Sequence, residues 1–173
     1  KNFKISVATN GLIKIPYEGF ENLPIGVAVW GDHDTDTRLR AAGKSNVFAR
    51  SLNNYRNDER AFFYYTATPG NAGEIESVVE QCVENGNKVL FNFYSDLAEL
   101  GGVYDHRRGF ETVSDAVNRM IERYPAHIFI SSYVGNIVST GELYGQPWGY
   151  DVCTSVSVDL EMNASRLKNG NPY

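Results

Sequence analysis

The sequence predicts an α/β fold of parallel strands, and three observations carry that expectation. Candidate strands begin near residues 3, 25, 61 and 88, with loop and helix stretches between them. Residues 25–30 and 61–65 are nearly continuous apolar runs, the pattern of strands buried on both faces. The chain has 173 residues, 42% of them hydrophobic and 21% charged, enough to bury a core. Successive parallel strands joined through helices imply right-handed crossovers.

Residues 3–9 (F-K-I-S-V-A-T) alternate apolar and polar and stop at Asn10-Gly11, a strand closed by a turn. Pro24 precedes the second strand, I-G-V-A-V-W, which runs into G-D-H-D-T-D at 31–36. That hexapeptide has no core-building residue and reads as a polar loop. Ser45 is placed to cap a helix carrying Val47, Phe48, Leu52 and Tyr55 on one side. The third strand, A-F-F-Y-Y-T, leads to Thr68-Pro69-Gly70. There Asn71 offers a cap, with Glu74 three residues on. Ile75, Val78, Val79, Cys82 and Val83 form the stripe of the next helix, and Gly86 is its stop. Residues 88–94 (K-V-L-F-N-F-Y) make the fourth strand.

Beyond residue 95 the pattern loosens. Residues 97–110 read as an exposed loop around D-H-R-R. Thr112 can cap a helix bearing Val113, Ala116, Val117, Met120, Ile121 and Tyr124, ended by Pro125. Residues 127–131 are a short strand candidate, followed by a brief amphipathic segment to about residue 140. The remainder is rich in Gly, Tyr and Pro, with one strand expected near 156–160 and a turn at 168–173.

Composition excludes several function classes. A net charge of −5 and a pI near 5.2 give no basic footprint for nucleic acid. No apolar run approaches the roughly 20 residues of a membrane span. With two cysteines, Cys82 and Cys153, the chain has neither a disulfide framework nor a four-thiolate site. His33, His106 and His127 lie on separate elements without metal-ligand spacing. Cys82 reads as a buried hydrophobe of its helix stripe, and Cys153 sits in a polar segment. Nucleophile elbows, P-loops and G-x-G-x-x-G turns are missing from the sequence.

What could carry chemistry is the row of strand ends, because ligands of parallel α/β folds bind there. Thr9-Asn10-Gly11, Trp30-Gly31-Asp32, Thr66-Ala67-Thr68 and Phe93-Tyr94-Ser95 are each polar or aromatic directly after an apolar run. They suit a ligand rim, and they also suit ordinary polar turns. Asp32, Asp34 and Asp36 are either a solvated loop or a carboxylate site. Arg38 and Arg40 are either surface arginines or anchors for a carboxylate or phosphate.

The order T-N-G, V-A-V-W-G-D, Y-Y-T-A-T-P-G-N-A-G-E-I-E-S-V-V-E-Q-C-V-E-N-G and L-F-N-F-Y resembles the later strands of the radical S-adenosylmethionine (radical SAM) enzymes, over about residues 3–95. The resemblance implies a partial (β/α) barrel, a partial TIM barrel, with residues 1–97 as strands three to six of its core. Residues 98–173 would be a C-terminal helix, a short strand and an irregular extension. It implies that Thr9, Asn10 and Gly11 lie beside the methionine and ribose portions of S-adenosylmethionine. Trp30, Gly31 and Asp32 would stand at the next strand end, Asp32 taking the ribose hydroxyls. Arg38 or Arg40 would face the cofactor carboxylate or the substrate, Asn71 would enter from the following loop, and Phe93 and Tyr94 would flank adenine. In that family a reduced [4Fe-4S] cluster cleaves the cofactor to a 5′-deoxyadenosyl radical, which takes a hydrogen from substrate.

This sequence departs from the pattern twice. Ala28 stands where the family has the serine of S-x-x-G, and the C-x-x-x-C-x-x-C cluster loop is absent. The resemblance therefore implies a fragment of a longer cytoplasmic enzyme, inactive alone, with substrate and catalytic residues unknown. The alternatives are a non-enzymatic α/β binding module, such as the partner of a cluster-bearing chain, and an unrelated (β/α) sugar or phosphate enzyme. A sheet that starts at residues 3–9 exposes that strand as an edge, so self-association is expected. Residues 144–150 suit either core packing or part of a barrel mouth.

Overall fold

A computed structural model of the chain describes residues 5–40, 46–93, 110–131 and 133, and short strand segments within 142–172. Four strands, β1 (Val7–Thr9), β2 (Ile25–Val29), β3 (Ala61–Ala67) and β4 (Lys88–Phe93), form a parallel sheet in chain order. Val7 pairs with Ile25, Ile25 with Ala61, and Phe62 with Lys88. Ile128 continues the series by a parallel bridge to Val89, whose N–H donates to His127 O at 2.8 Å. The α/β class is thus as the alternation predicts.

The helices are α1 (His33–Arg40), α2 (Val47–Asn54), α3 (Ile75–Glu84) and α4 (Phe110–Arg123). A 3-10 turn, Pro69–Glu74, leads into α3. Alternate strand residues point to opposite faces, and one set is sealed against the helices. Ile25, Val27, Val29, Phe63, Tyr65, Val89, Phe91 and Ile128 join one buried cluster with Phe48 of α2, the α3 stripe and the Val113, Ala116, Val117 and Met120 stripe of α4. The other set, Gly26, Ala28, Phe62, Tyr64, Thr66, Leu90 and Asn92, lies on the face turned away from the helices.

Of the loop expected at 31–36, only Gly31 and Asp32 lie outside helix. His33–Arg40 is a helix with Thr35 and Asp36 buried. Its stability comes from its ends. Asp32 Oδ1 accepts the N–H groups of Asp34 and Thr35 at 3.1 and 3.0 Å. Acidic Asp34 and Asp36 in the first turn and basic Arg38 and Arg40 in the last match the helix dipole. The cap of α2 is Asn46, one residue after Ser45, with Oδ1 accepting Ala49 N–H at 3.1 Å.

The N-terminal side of the sheet is held by a buried polar network. Arg60, 6% exposed, donates to Asp58 from Nε (2.9 Å) and Nη2 (2.6 Å). Its remaining N–H groups go to the carbonyls of Ile15, Pro16 and Phe20, which pins the long β1–β2 connection beneath β3. Asn87 donates to Tyr55 O and Asp58 O from the start of β4.

The loop expected at 97–110 and the segment expected up to residue 140 lie largely outside the described residues; Phe110 already belongs to α4. The expected strand near 156–160 is β7 (Val156–Val158), downstream of two short antiparallel strands, β5 (Glu142–Leu143) and β6 (Gln146–Pro147). β7 pairs with β8 (Ala164–Lys168), and β8 with β9 (Asn171–Pro172), so the last residues contribute a strand pair beyond the expected turn. No helix among the described residues is long and apolar enough to cross a membrane.

Candidate functional site

Because the strands run in chain order, their C-terminal ends form one edge with the four segments side by side. At β1 the turn is built by its own side chains. Thr9 Oγ1 accepts Gly11 N–H at 3.2 Å, and Asn10 Oδ1 accepts Leu12 N–H at 3.1 Å. Gly11 has φ +76, and a Cβ there would collide with Ser51 and Val27. That close approach lets Asn54 Nδ2 of α2 donate to Gly11 O at 2.8 Å. Asn10 is exposed, its amide N–H groups left for other partners.

At β2 the backbone of Trp30 is held from two sides. Its N–H donates to Asp36 Oδ1 at 2.8 Å, and its carbonyl accepts Asn71 Nδ2 at 2.8 Å. Gly31 follows at φ +151, where a Cβ would run into Glu74 Oε2 and Thr35. The space is needed because Glu74 closes the turn: Oε2 accepts Asp32 N–H and Oε1 accepts Thr35 Oγ1–H, each at 2.8 Å. Asp32 is half-buried and caps α1 through Oδ1.

The three aspartates of this segment have separate roles. Asp32 caps, Asp34 is exposed, and Asp36 is sealed beneath the end of β2. Arg40 Nη1 meets Asp36 Oδ1 at 3.1 Å and also donates to Ala28 O. Burial pushes the Asp36 carboxyl above its ordinary value, against the opposing pull of Arg40 and the Trp30 N–H. Arg38 is exposed and reaches only Thr35 Oγ1, at 3.5 Å.

Asn71 knits β2 to β3. Its Nδ2 donates to Trp30 O and Thr66 O (2.8 and 2.9 Å), and its Oδ1 accepts Thr68 N–H at 2.7 Å. Tyr65, buried below it, donates to Asn71 O at 2.9 Å. Burial, then the charges of Glu74 and Asp32, raise the Tyr65 phenol well above its usual range. At the last strand end Phe93 pairs in register with Ala67, and Tyr94 lies outside the described residues.

The edge therefore brings together Thr9, Asn10, Gly11, Trp30, Gly31, Asp32, Asn71 and the backbone of Phe93, flanked by Arg38 and Arg40. Thr66, one of the strand-end residues read as a possible ligand rim, joins them, and two further contributors are not singled out by sequence pattern. Glu74 reads there only as a helix-capping residue. Asn92 is hidden inside an apolar run. The two-residue alternation of β3 and β4 is the signal that places Thr66 and Asn92 on the face away from the helices.

Among the described residues no group of three His, Cys, Asp or Glu is arranged to hold a metal. Cys82 is buried in the core of α3, and burial pushes its thiol far up. His33 contacts Asn46 Oδ1 at 3.2 Å and stacks at a tilt on Phe48. His106 and Cys153 lie outside the described residues. No family model matches this chain, and no curated protein is significantly similar to it in sequence.

Proposed function

We propose that the chain forms strands three to six of a partial (β/α) barrel of the radical S-adenosylmethionine kind and binds S-adenosylmethionine along the C-terminal edge of its sheet. The observation that carries this reading is the strand order. Chain order and sheet order coincide over β1 to β4, which aligns T-N-G, W-G-D, the Thr66–Asn71 stretch and the end of β4 on one rim. The described helices that join the core, α2, α3 and α4, pack on one face of the sheet, as the outer layer of a barrel would.

The donor set suits that molecule. It carries a sulfonium, an ammonium, a carboxylate, two ribose hydroxyls and a purine. Asp32 and Glu74 make the β2 side of the rim acidic, which favours a ligand with two cationic groups. Asp32 keeps Oδ2 for the ribose hydroxyls, Asn10 keeps its amide donors, and Arg38 is placed for the carboxylate. Asn71, Gly11, Gly31 and Arg40 shape the rim under this reading, and Thr9 presents its turn. The aromatic pair Phe93 and Tyr94 would border the purine. Bound there, S-adenosylmethionine would supply hydrogen-atom abstraction from substrate through its 5′-deoxyadenosyl group, released with methionine when a [4Fe-4S] cluster held outside these residues provides one electron.

A [4Fe-4S] cluster does not fit these residues. It needs three or four thiolates, and Cys82 is sealed in the core. The chain's own part is to bind, orient and shield the S-adenosylmethionine. The reading also expects a cytoplasmic protein, where the thiol of Cys82 stays reduced.

Isothermal titration of the full chain with S-adenosylmethionine tests the proposal. Saturable binding is expected, weakened about tenfold in Asp32→Asn through loss of a charge-assisted hydrogen bond. That variant keeps a side-chain oxygen equally able to cap α1, so its stability should hold. Absence of saturable binding at millimolar S-adenosylmethionine overturns the reading.

A further inference from the structure

Thr66 and Asn92 are partners in register on β3 and β4, so their Cα atoms lie about 4.8 Å apart on neighbouring strands. Both belong to the face turned away from the helices. Their neighbours Tyr65, Ala67 and Phe91 point the other way into the core, at 0%, 0% and 5% exposure. Thr66 is itself 5% exposed. Its backbone carbonyl is taken by Asn71 Nδ2, yet neither its hydroxyl nor the Asn92 amide hydrogen-bonds to any described residue. The Thr66 hydroxyl still reaches solvent beside a half-buried carboxamide, so both keep donors and acceptors for an incoming group.

The surroundings select the ligand. One rung below on the same face lie Tyr64 and Leu90, both half-buried, which offer an apolar bed. The cation of this face among the described residues is Lys88, four residues before Asn92 and so about 13 Å away along the strand. Its Nζ rests 5.0 Å from the ring centre of Phe129. Arg40 is paired with Asp36. Among the described residues of this face an anion would find no unpaired cation within reach, and Glu74 and Asp32 at the rim would repel it.

We propose that Thr66 and Asn92 form a binding subsite for an uncharged carboxamide or lactam group carried on a flat apolar body. The Asn92 amide matches such a group donor to acceptor and acceptor to donor, and the Thr66 hydroxyl adds a third hydrogen bond. The flat body lies over Tyr64 and Leu90. The subsite adjoins the rim at Thr66, but the proposal does not rest on S-adenosylmethionine binding there.

The test uses the full chain labelled with ¹⁵N, titrated with benzamide and separately with benzoate, its anionic isostere. Benzamide is expected to shift the side-chain NH₂ resonances of Asn92, and benzoate to leave them nearly in place. Thr66→Val and Asn92→Leu should each weaken benzamide binding about fivefold, the worth of one hydrogen bond. The proposal is overturned if millimolar benzamide leaves the Asn92 resonances unmoved, or if benzoate moves them as far. Both titrations use the wild-type chain, so neither result depends on a variant folding. Titration with S-adenosylmethionine is read separately, and its failure leaves this subsite standing.

Discussion

The carboxylate of Glu74 accepts the backbone N–H of Asp32 at 2.8 Å across 42 residues of sequence. Its second oxygen takes the Thr35 hydroxyl at the same distance. One side chain from the end of the 3-10 turn thus fixes both the last residue before α1 and the first turn of that helix. α1 has no apolar stripe of its own, so it depends on such contacts more than a core helix would.

Glu74→Ala should therefore destabilise the fold by about 1–3 kcal/mol, since a half-buried N–H and a hydroxyl lose their acceptor together. Glu74→Gln keeps one carbonyl oxygen and should lose less. Urea denaturation gives the difference, and amide exchange at Asp32 should quicken in the alanine variant. Equal stability of wild type and Glu74→Ala would show that water replaces the carboxylate without cost.

The parts of the fold legible in the sequence are those with a periodic apolar signal. β2, β3, α3 and α4 bury regular stripes, and their expected bounds lie close to the true ones. α1 is different, because its order comes from a cap, an i,i+4 ion pair and the distant Glu74, none of which leaves an apolar period. The rim shows the same division. Sequence pattern puts Asn71 after a strand end, but only the three-dimensional structure reveals that its amide ties Trp30 to Thr66. A polar residue at a strand end reads the same whether it meets a ligand or a neighbouring strand. Alternation alone separates Thr66 and Asn92 from Tyr65 and Phe91, but the apolar density of both strands masks it and suggests burial on both faces.

Acid should unfold the chain partly through Asp58. The side-chain hydrogen bonds from Arg60, first, and the backbone N–H of Arg60 hold this carboxyl below the ordinary aspartate value, while burial opposes them. A carboxyl with a depressed folded pKa contributes stability that is fully present above its unfolded pKa, about 3.9. That stability is lost as pH falls through the folded value. Asp58→Asn should therefore flatten the loss of stability below about pH 4. At neutral pH the variant should be weaker by about 3–5 kcal/mol, because Arg60 is left buried without its counter-charge. Thermal melts of both proteins between about pH 2.5 and 7 check the slope and the plateau. Parallel acid limbs would remove Asp58 as the group responsible.

The edge at β1 leads to a prediction about assembly. Val7 and Thr9 are only half-buried on the helix-side face, where Ile25, Val27 and Val29 of the next strand are fully sealed. Ile5, just before the strand, is 69% exposed. Val7 N–H donates to Pro24 O on the β2 side, so by strand alternation the Ala8 N–H points outward. An outward N–H with apolar neighbours recruits another strand, and sedimentation velocity should show association that grows with protein concentration. Ala8→Pro removes the outward donor while leaving the Val7 bond to β2 in place, which is where an edge strand tolerates proline. The variant should sediment as a monomer with its melting temperature nearly unchanged. If it associates as strongly as wild type, the contact lies elsewhere on the molecule, and the β1 edge is not what joins the copies.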